Sequence, residues 1–394
     1  FWARNVPFFY LPRTKTNLND PFGPFEGISV RQDRIFGLQA YATWDMLDLI
    51  GLTKIEGEKW SLLTDIMSLR GPALGSNYSR NGRTMFGMEA PYQSSVRLYS
   101  VYDTGNDVLG GPREKDFSPP AFRGRASLRH QQQFTLSEPE DLTVQGQFSY
   151  LSDRNFLEQY YETEYNFSYN QETFLWLKYQ TGNAAATVLA EPDVGRYWVS
   201  ETFWMPRVDG YWIGQSVFES LTYHTWASAG YAQLDVFRPP ESEYPDTKNF
   251  ALPPIERNTT TGRFDWMQKI SAPFDLGPLR VVPYGVLDVA YYTQAEDDKQ
   301  RARLYGGTGI KASMPLSRLY RDVESDLFNL QGLYHKNLFS MNYYVAGSSA
   351  PWTALPQLDR LNDDSTEAAW RDVTPWQPTF TQLTKENGLA LGLG

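Results

Sequence analysis

Cysteine is missing from this chain of 394 residues, and with it go disulfides, thiolate metal sites and cysteine nucleophiles. No stretch approaches the ~18 uninterrupted apolar residues of a membrane-spanning helix, so helical membrane topology is excluded. Histidine is scarce: His130, His224 and His335 lie far apart and none sits in a His-Glu-x-x-His arrangement. Basic side chains number 36 against 46 acidic ones, a net charge of −10. Binding a phosphate backbone needs concentrated Lys and Arg, so nucleic acid is not an expected partner. Gly306-Gly307-Thr308-Gly309 lacks the Gly-Lys-Ser/Thr ending of a phosphate loop and reads as a bend or close strand approach. There is no Gly-x-Ser-x-Gly elbow. Glu296-Asp297-Asp298 reads as a solvated loop tip. No catalytic residue, metal site or cofactor is assigned, and the chain is not expected to be an enzyme. It begins Phe1-Trp2-Ala3-Arg4 with neither a charged n-region nor an apolar h-region, which reads as a fragment whose secretion signal lay upstream or was removed.

What is present is a two-residue alternation. Leu142, Val144, Gly146, Phe148 and Tyr150 alternate with Thr143, Gln145, Gln147 and Ser149. Ala126, Leu128, Phe134 and Leu136 alternate in the same way with Arg125, Ser127, Arg129, Gln131, Gln133 and Thr135. Period two is the strand period, so one face is apolar and the other wet. With hydrophobic residues at 41% and aromatics at 15%, segments of about ten residues separated by turns fit an all-β, large antiparallel transmembrane β-barrel of the outer-membrane type.

The pattern predicts strands over 25–31, 34–46, 59–69, 92–102, 123–136, 142–152, 162–169, 174–180, 185–190, 196–206, 211–236, 262–272, 279–293, 301–312 and 330–345. Gly182-Asn183 and Asp209-Gly210 suit type I′ hairpin turns. Segments 104–121 and 237–258, rich in Pro and Gly, are too long and too polar for such turns and read as extracellular loops. Residues 352–394 break the pattern. The pairs Tyr197-Trp198, Phe203-Trp204 and Tyr211-Trp212 read as a girdle at the membrane interface, ahead of sugar-stacking platforms.

Several segments resemble one family. Val6-Pro7-Phe8-Phe9-Tyr10-Leu11-Pro12 resembles the strand that closes the periplasmic jelly roll of LptD (OstA) proteins. Tyr150-Leu151-Ser152-Asp153-Arg154-Asn155-Phe156-Leu157 is similar to the family's Y-[VIL]-S-D-x-x-[FY]-L segment, the most specific match. Gly262-Arg263-Phe264, Ile270-Ser271-Ala272-Pro273, Val282-Pro283-Tyr284 and Gly332-Leu333-Tyr334-His335-Lys336 follow in the family's order. The resemblance implies residues 1–20 as the end of the jelly roll and 21–394 as the N-terminal portion of the barrel, with its C-terminal strands missing.

The function it implies is lipopolysaccharide transport and insertion into the outer leaflet of the outer membrane of a Gram-negative-type bacterium. The implied partners are lipopolysaccharide, the outer-membrane bilayer, an LptE-like lipoprotein plug and an LptA-like periplasmic bridge. Phe8, Phe9 and Leu11 would form an apolar slide. Gly23, Pro24 and Gly27 would weaken the first strand as a lateral gate. Arg125, Arg129, Gln131, Gln133, Gln145 and Gln147 would line the polar path, the arginines facing the substrate's phosphates. The chain departs from the family in its second strand, where Gln39-Ala40-Tyr41-Ala42 has no proline, and in lacking cysteine. Two other readings stand beside this one: an outer-membrane porin or ligand-specific diffusion channel, and a soluble β-sandwich acting on carbohydrate.

Overall fold

The computed structural model describes residues 2–3, 6–7, 23–85, 88–109, 119–167, 171–195, 200–236, 257–351, 354–356, 358–359 and 385–393. Among the described residues, β1 (Trp2–Ala3) and β2 (Val6–Pro7) pair only with each other. All the other strands join one antiparallel sheet in which every strand pairs with its neighbours along the chain. It runs through β3 (Phe25–Asp33), β4 (Gly37–Asp45), β5 (Glu58–Met67), β6 (Gly71–Met85), β7 (Met88–Tyr102), β8 (Phe122–Ser137) and β9 (Glu140–Leu151). It continues through β10 (Phe174–Thr181), β11 (Ala184–Ala190), β12 (Glu201–Val217), β13 (Leu221–Asp235) and β14 (Thr259–Ser271), which the short β15 (Phe274–Leu276) prolongs. The last members are β16 (Leu279–Tyr292), β17 (Arg301–Ser325), β18 (Leu330–Ser348) and β19 (Lys385–Leu393). Among the described residues, helices are confined to three five-residue pieces, α1 (Met46–Ile50), α2 (Phe156–Tyr160) and α3 (Glu162–Asn166). The strand order brings β19 round to β3. Residue-by-residue ladders join the other neighbouring strands, β14 and β15 both pairing with β16, whereas among the described residues none joins β19 to β3.

The two faces of the sheet are inverted relative to a globular protein. Ile28, Leu74, Leu98, Leu128, Phe148, Tyr150, Leu175, Val208, Ile270 and Leu304 are exposed on one face. On the other, Asp65, Arg123, Arg125, Ser149, Asp209, Arg263, Asp288 and Arg303 are buried. Pairing fixes this parity: Leu128 lies opposite Phe148 and Ser127 opposite Ser149, so a one-residue slip would exchange the two sets. The expected opposition of Leu142, Val144, Phe148 and Tyr150 to Thr143, Gln145, Gln147 and Ser149 follows from this unbroken register.

Several strand expectations are corrected. The alternation does not predict β6, because Gly71, Pro72, Gly75, Gly82 and its Ser and Asn residues carry neither alternation nor strand propensity. It is held by its neighbour: Gly75 pairs with Tyr99 and Gly82 with Tyr92. A Cβ at either glycine would meet the partner ring, at 2.8 Å and 2.7 Å respectively. Gly309 pairs with Tyr284 in the same way, so the glycine-rich stretch of β17 is a close approach. The described part of the expected strand 162–169 is not extended: α3 occupies 162–166, with Glu162 and Glu164 in the favourable first turn, and 168–169 lie outside the described residues.

Asp209-Gly210 is not a turn. β12 runs through it, pairing Asp209 with Ser228 and Gly210 with Ala227, because the Asp209 carboxylate is held by Arg207 at 3.0 Å and Thr187 at 3.2 Å. The hairpin falls instead at Phe218 and Glu219, with φ of 51° and 59°. Gly182-Asn183 is a two-residue turn between Thr181 and Ala184, but only Gly182 has positive φ, the type II′ pattern. Connections 86–87, 138–139, 182–183, 218–220 and 326–329 are short, whereas those at the opposite ends of β7, β9, β13 and β18 are long. Residues 110–118 and 237–256 of the two expected loops lie outside the described residues, as do 196–199.

Two apolar clusters sit at the long-connection end of the charged face. Met67, Tyr99, Val101 and Leu151 pack with Phe156 and Leu157 of α2. Trp204, Leu234 and Tyr292 pack with Leu355 and Leu358, which follow β18. Two connections therefore fold back over the inner face of the sheet.

Candidate functional site

The inner face carries the candidate site, which divides into a clamp, a polar slope and a cavity. The clamp centres on Arg123 at the start of β8. Its guanidinium reaches Asp103 at 3.0 Å, Asp107 at 2.6 Å and Asp153 at 2.8 Å, all buried. Arg70 adds a second cation, 3.3 Å from Asp103. Asn155 donates to Asp107 at 3.0 Å, and the Tyr160 hydroxyl donates to Asp103 at 2.7 Å. Burial pushes the Asp103 carboxyl up, but the bonds from Tyr160 and the Gly105 N–H and the charge of Arg70 outweigh it and hold Asp103 below its ordinary pKa. These contacts fasten the β5–β6, β7–β8 and β9–β10 connections to one another. The segment carrying the most specific family resemblance supplies Asp153 and Asn155 to the clamp, and Phe156 and Leu157 to the core. Its partners Arg70, Asp103, Asp107 and Arg123 went unmarked in the sequence, where no local spacing connects them.

The predicted path residues share the inner face without forming one site. Arg125 is buried, 2.6 Å from Glu164 and 3.7 Å above the Tyr161 ring, so α3 covers it. Arg129 lines a recess of about 410 Å³ with Arg97, Tyr160, Tyr161 and Glu164. Gln147 donates to the Glu172 carbonyl at 2.7 Å. Gln145 is half-buried, and Gln131 and Gln133, on the same face, are exposed. Phe8, Phe9 and Leu11 lie outside the described residues.

At the other end of the sheet, Gly23 has φ of 62° and the Pro24 carbonyl accepts from the Asp45 N–H at 2.6 Å. Gly27 follows a register break in which Phe25 pairs with Trp44 and Gly27 with Thr43, leaving Glu26 as the extra residue of a bulge. Beyond the bulge, β3 is laddered to β4 through Asp33. Gly23 and Gly27 line a recess of about 630 Å³ with Glu26, Asp45 and the cations Lys54 and Lys59.

The cavity, about 770 Å³, lies on the inner face of β10–β14 and is lined by Phe174, Trp176, Trp204, Tyr211, Trp226, Arg207, Asp209 and Arg263, with Leu358 and Asp359 over it. The girdle expectation is corrected here. Trp204 is buried and Tyr211 faces the cavity, while Trp212 alone of these described pairs is exposed. A register shift between Trp204 and Arg207 adds one residue to β12 and turns Trp204 inward. At the rim, Glu172, Glu191 and Glu201 bring carboxylate oxygens within 4.8 Å of one another, a spacing at which oxygen ligands can share a hard cation. Glu296 and Asp298 are instead tied to Arg257 at 3.2 Å and 2.9 Å, and Asp297 to Arg301 at 3.0 Å. Compared with known proteins, the chain matches no protein-family model and no curated protein.

Proposed function

We propose that the sheet closes into a barrel in the outer membrane of a Gram-negative-type bacterium and carries lipopolysaccharide to its outer leaflet, as the LptD resemblance implies. The observation that carries the membrane part is the inversion of the two faces. A continuous exposed belt of Leu, Ile, Val and aromatic side chains around a buried charged face is what a spanning strand set needs, and in water it would be an aggregation surface. A soluble sandwich would cover that belt with a second sheet, and among the described residues nothing covers it.

Support for a lateral exit comes from β3. Its entry carries Gly23, Pro24 and Gly27 and a bulge, and its outer edge has no described ladder to β19. Lipopolysaccharide would arrive from an LptA-like bridge past Phe8, Phe9 and Leu11. Its sugars would pass the inner face near Arg129, Gln131 and Gln133 beside an LptE-like plug, and its acyl chains would leave at the seam. Photo-crosslinkers at Phe25 and Gly27 in growing cells should capture lipopolysaccharide. Capture of phospholipid alone at both positions would remove the gate from this strand.

The second reading, a diffusion channel, draws on the two connections that fold over the inner face, as constrictions do in porins. Stable unitary conductance in a planar bilayer, together with no lipopolysaccharide capture, would favour it.

A further inference from the structure

We propose that the inner-face cavity between β10 and β14 binds a short neutral saccharide. This inference rests on the cavity and not on the lipopolysaccharide reading. Three observations point to it. First, Trp176, Tyr211 and Trp226 line the cavity from three different strands, offering flat apolar surfaces of the kind on which the C–H faces of a pyranose ring pack. Second, two buried polar atoms of its lining lack a protein partner: Oδ1 of Asp209 and Nε of Arg263. Oδ2 of Asp209 is engaged by Arg207 and Thr187, and Nη1 of Arg263 by Asp359 at 2.8 Å. One unmatched acceptor and one unmatched donor suit a ligand that both donates and accepts, which a sugar hydroxyl does and an aliphatic ligand does not.

Third, both arginines of the wall are paired within it. Arg207 is paired with Asp209 and lies 5.2 Å from the Trp204 ring, while Arg263 is paired with Asp359 and lies 4.7 Å from the same ring. A cationic ligand would meet these guanidiniums and Lys269, and an anionic one would meet Glu172, Glu191 and Asp209. A neutral polyhydroxylated ligand meets neither obstacle. The cavity volume, about 770 Å³, lies within the range of small-molecule sites.

The test uses the full chain in lauryldimethylamine oxide micelles, a detergent without a sugar headgroup. Maltohexaose, a neutral outer-core oligosaccharide freed of phosphates and acidic sugars, and a phosphorylated core oligosaccharide are titrated separately, followed by tryptophan fluorescence and calorimetry. Saturable binding of either neutral saccharide supports the proposal, and the preferred one separates a free glucan from the glycan of a lipid. Trp226→Leu, Trp176→Leu and Asp209→Asn should each weaken binding by about tenfold, with strand circular dichroism unchanged and Leu128→Ala, on the outer face, without effect. No saturable binding of either saccharide to folded protein overturns the proposal. So does affinity unaltered in the folded variants, or binding confined to a phosphorylated oligosaccharide. Lipopolysaccharide capture at Gly27 is scored separately, so either reading can fail alone.

Discussion

Arg123 shows what a single side chain contributes here. It is fully buried among three carboxylates, with Arg70 as the only other cation of the clamp, so removing it leaves acidic groups facing one another in a dry site. Arg123→Leu is expected to destabilise the protein by about 3–5 kcal/mol, the usual cost of orphaning buried charge. Arg97→Leu, whose half-exposed side chain lies 3.9 Å from Glu164, should cost no more than about 0.5 kcal/mol. Denaturant titration in detergent compares the two, and equal losses would deny the clamp its role. The depressed pKa of Asp103 adds a pH dependence. Its folded value lies below its unfolded one, so its contribution is complete above the unfolded pKa of about 3.9 and is lost as pH falls through the folded value. Amide exchange in α2 should therefore quicken below about pH 4 while the central amides of β13 and β14 stay protected. Unchanged α2 protection down to pH 2 would contradict this.

At the scale of elements, β6 depends on a cross-strand exchange of volume. Tyr99 of β7 fills the space that Gly75 leaves, and the Leu98 carbonyl lies 3.0 Å from where a Cβ would stand. Gly75→Ala should cost about 1–3 kcal/mol through overpacking against ring and backbone. Gly146→Ala on β9, whose nearest atom would be 3.8 Å away, should be neutral or slightly stabilising, because alanine lowers unfolded-chain entropy. Thermal unfolding of the two variants makes the comparison. If Gly146→Ala proves as damaging as Gly75→Ala, the pairing with Tyr99 is not what holds this strand. The β17–β18 hairpin has a different character: its distal part, including Leu319, Leu327, Phe328 and Tyr334, is exposed, so its apolar side chains add little to the sheet's own core.

For the whole molecule, the membrane reading is tested by contrasting the two faces at one level of one strand. Val144 and Gln145 are adjacent on β9 and face opposite ways. Val144→Arg should cost roughly 2–4 kcal/mol if the outer face meets lipid near the bilayer midplane, whereas Gln145→Arg should be close to neutral. Equal tolerance in a denaturant titration would mean that both faces are wet, and the outer belt would then need another cover.

The alternation in β8 and β9 was enough to identify strands, assign their faces and separate a wet inner wall from an apolar outer one, because side-chain parity is a local property of extended backbone. The same rule could not find β6, whose stability lies in Tyr92 and Tyr99 of the next strand. Nor could it assemble the clamp, since Arg70, Asp103, Arg123 and Asp153 meet only after three connections fold together. Asp209-Gly210 looked like a turn for as long as its contacts with Arg207 and Thr187 were unseen. Trp204 looked like a membrane-interface residue until one extra residue in β12 reversed its direction. Period and propensity are written in neighbouring residues. The identity of a charge's partner, the site of a bulge and the wall of a cavity depend on residues tens of positions apart, and only the tertiary structure decided them.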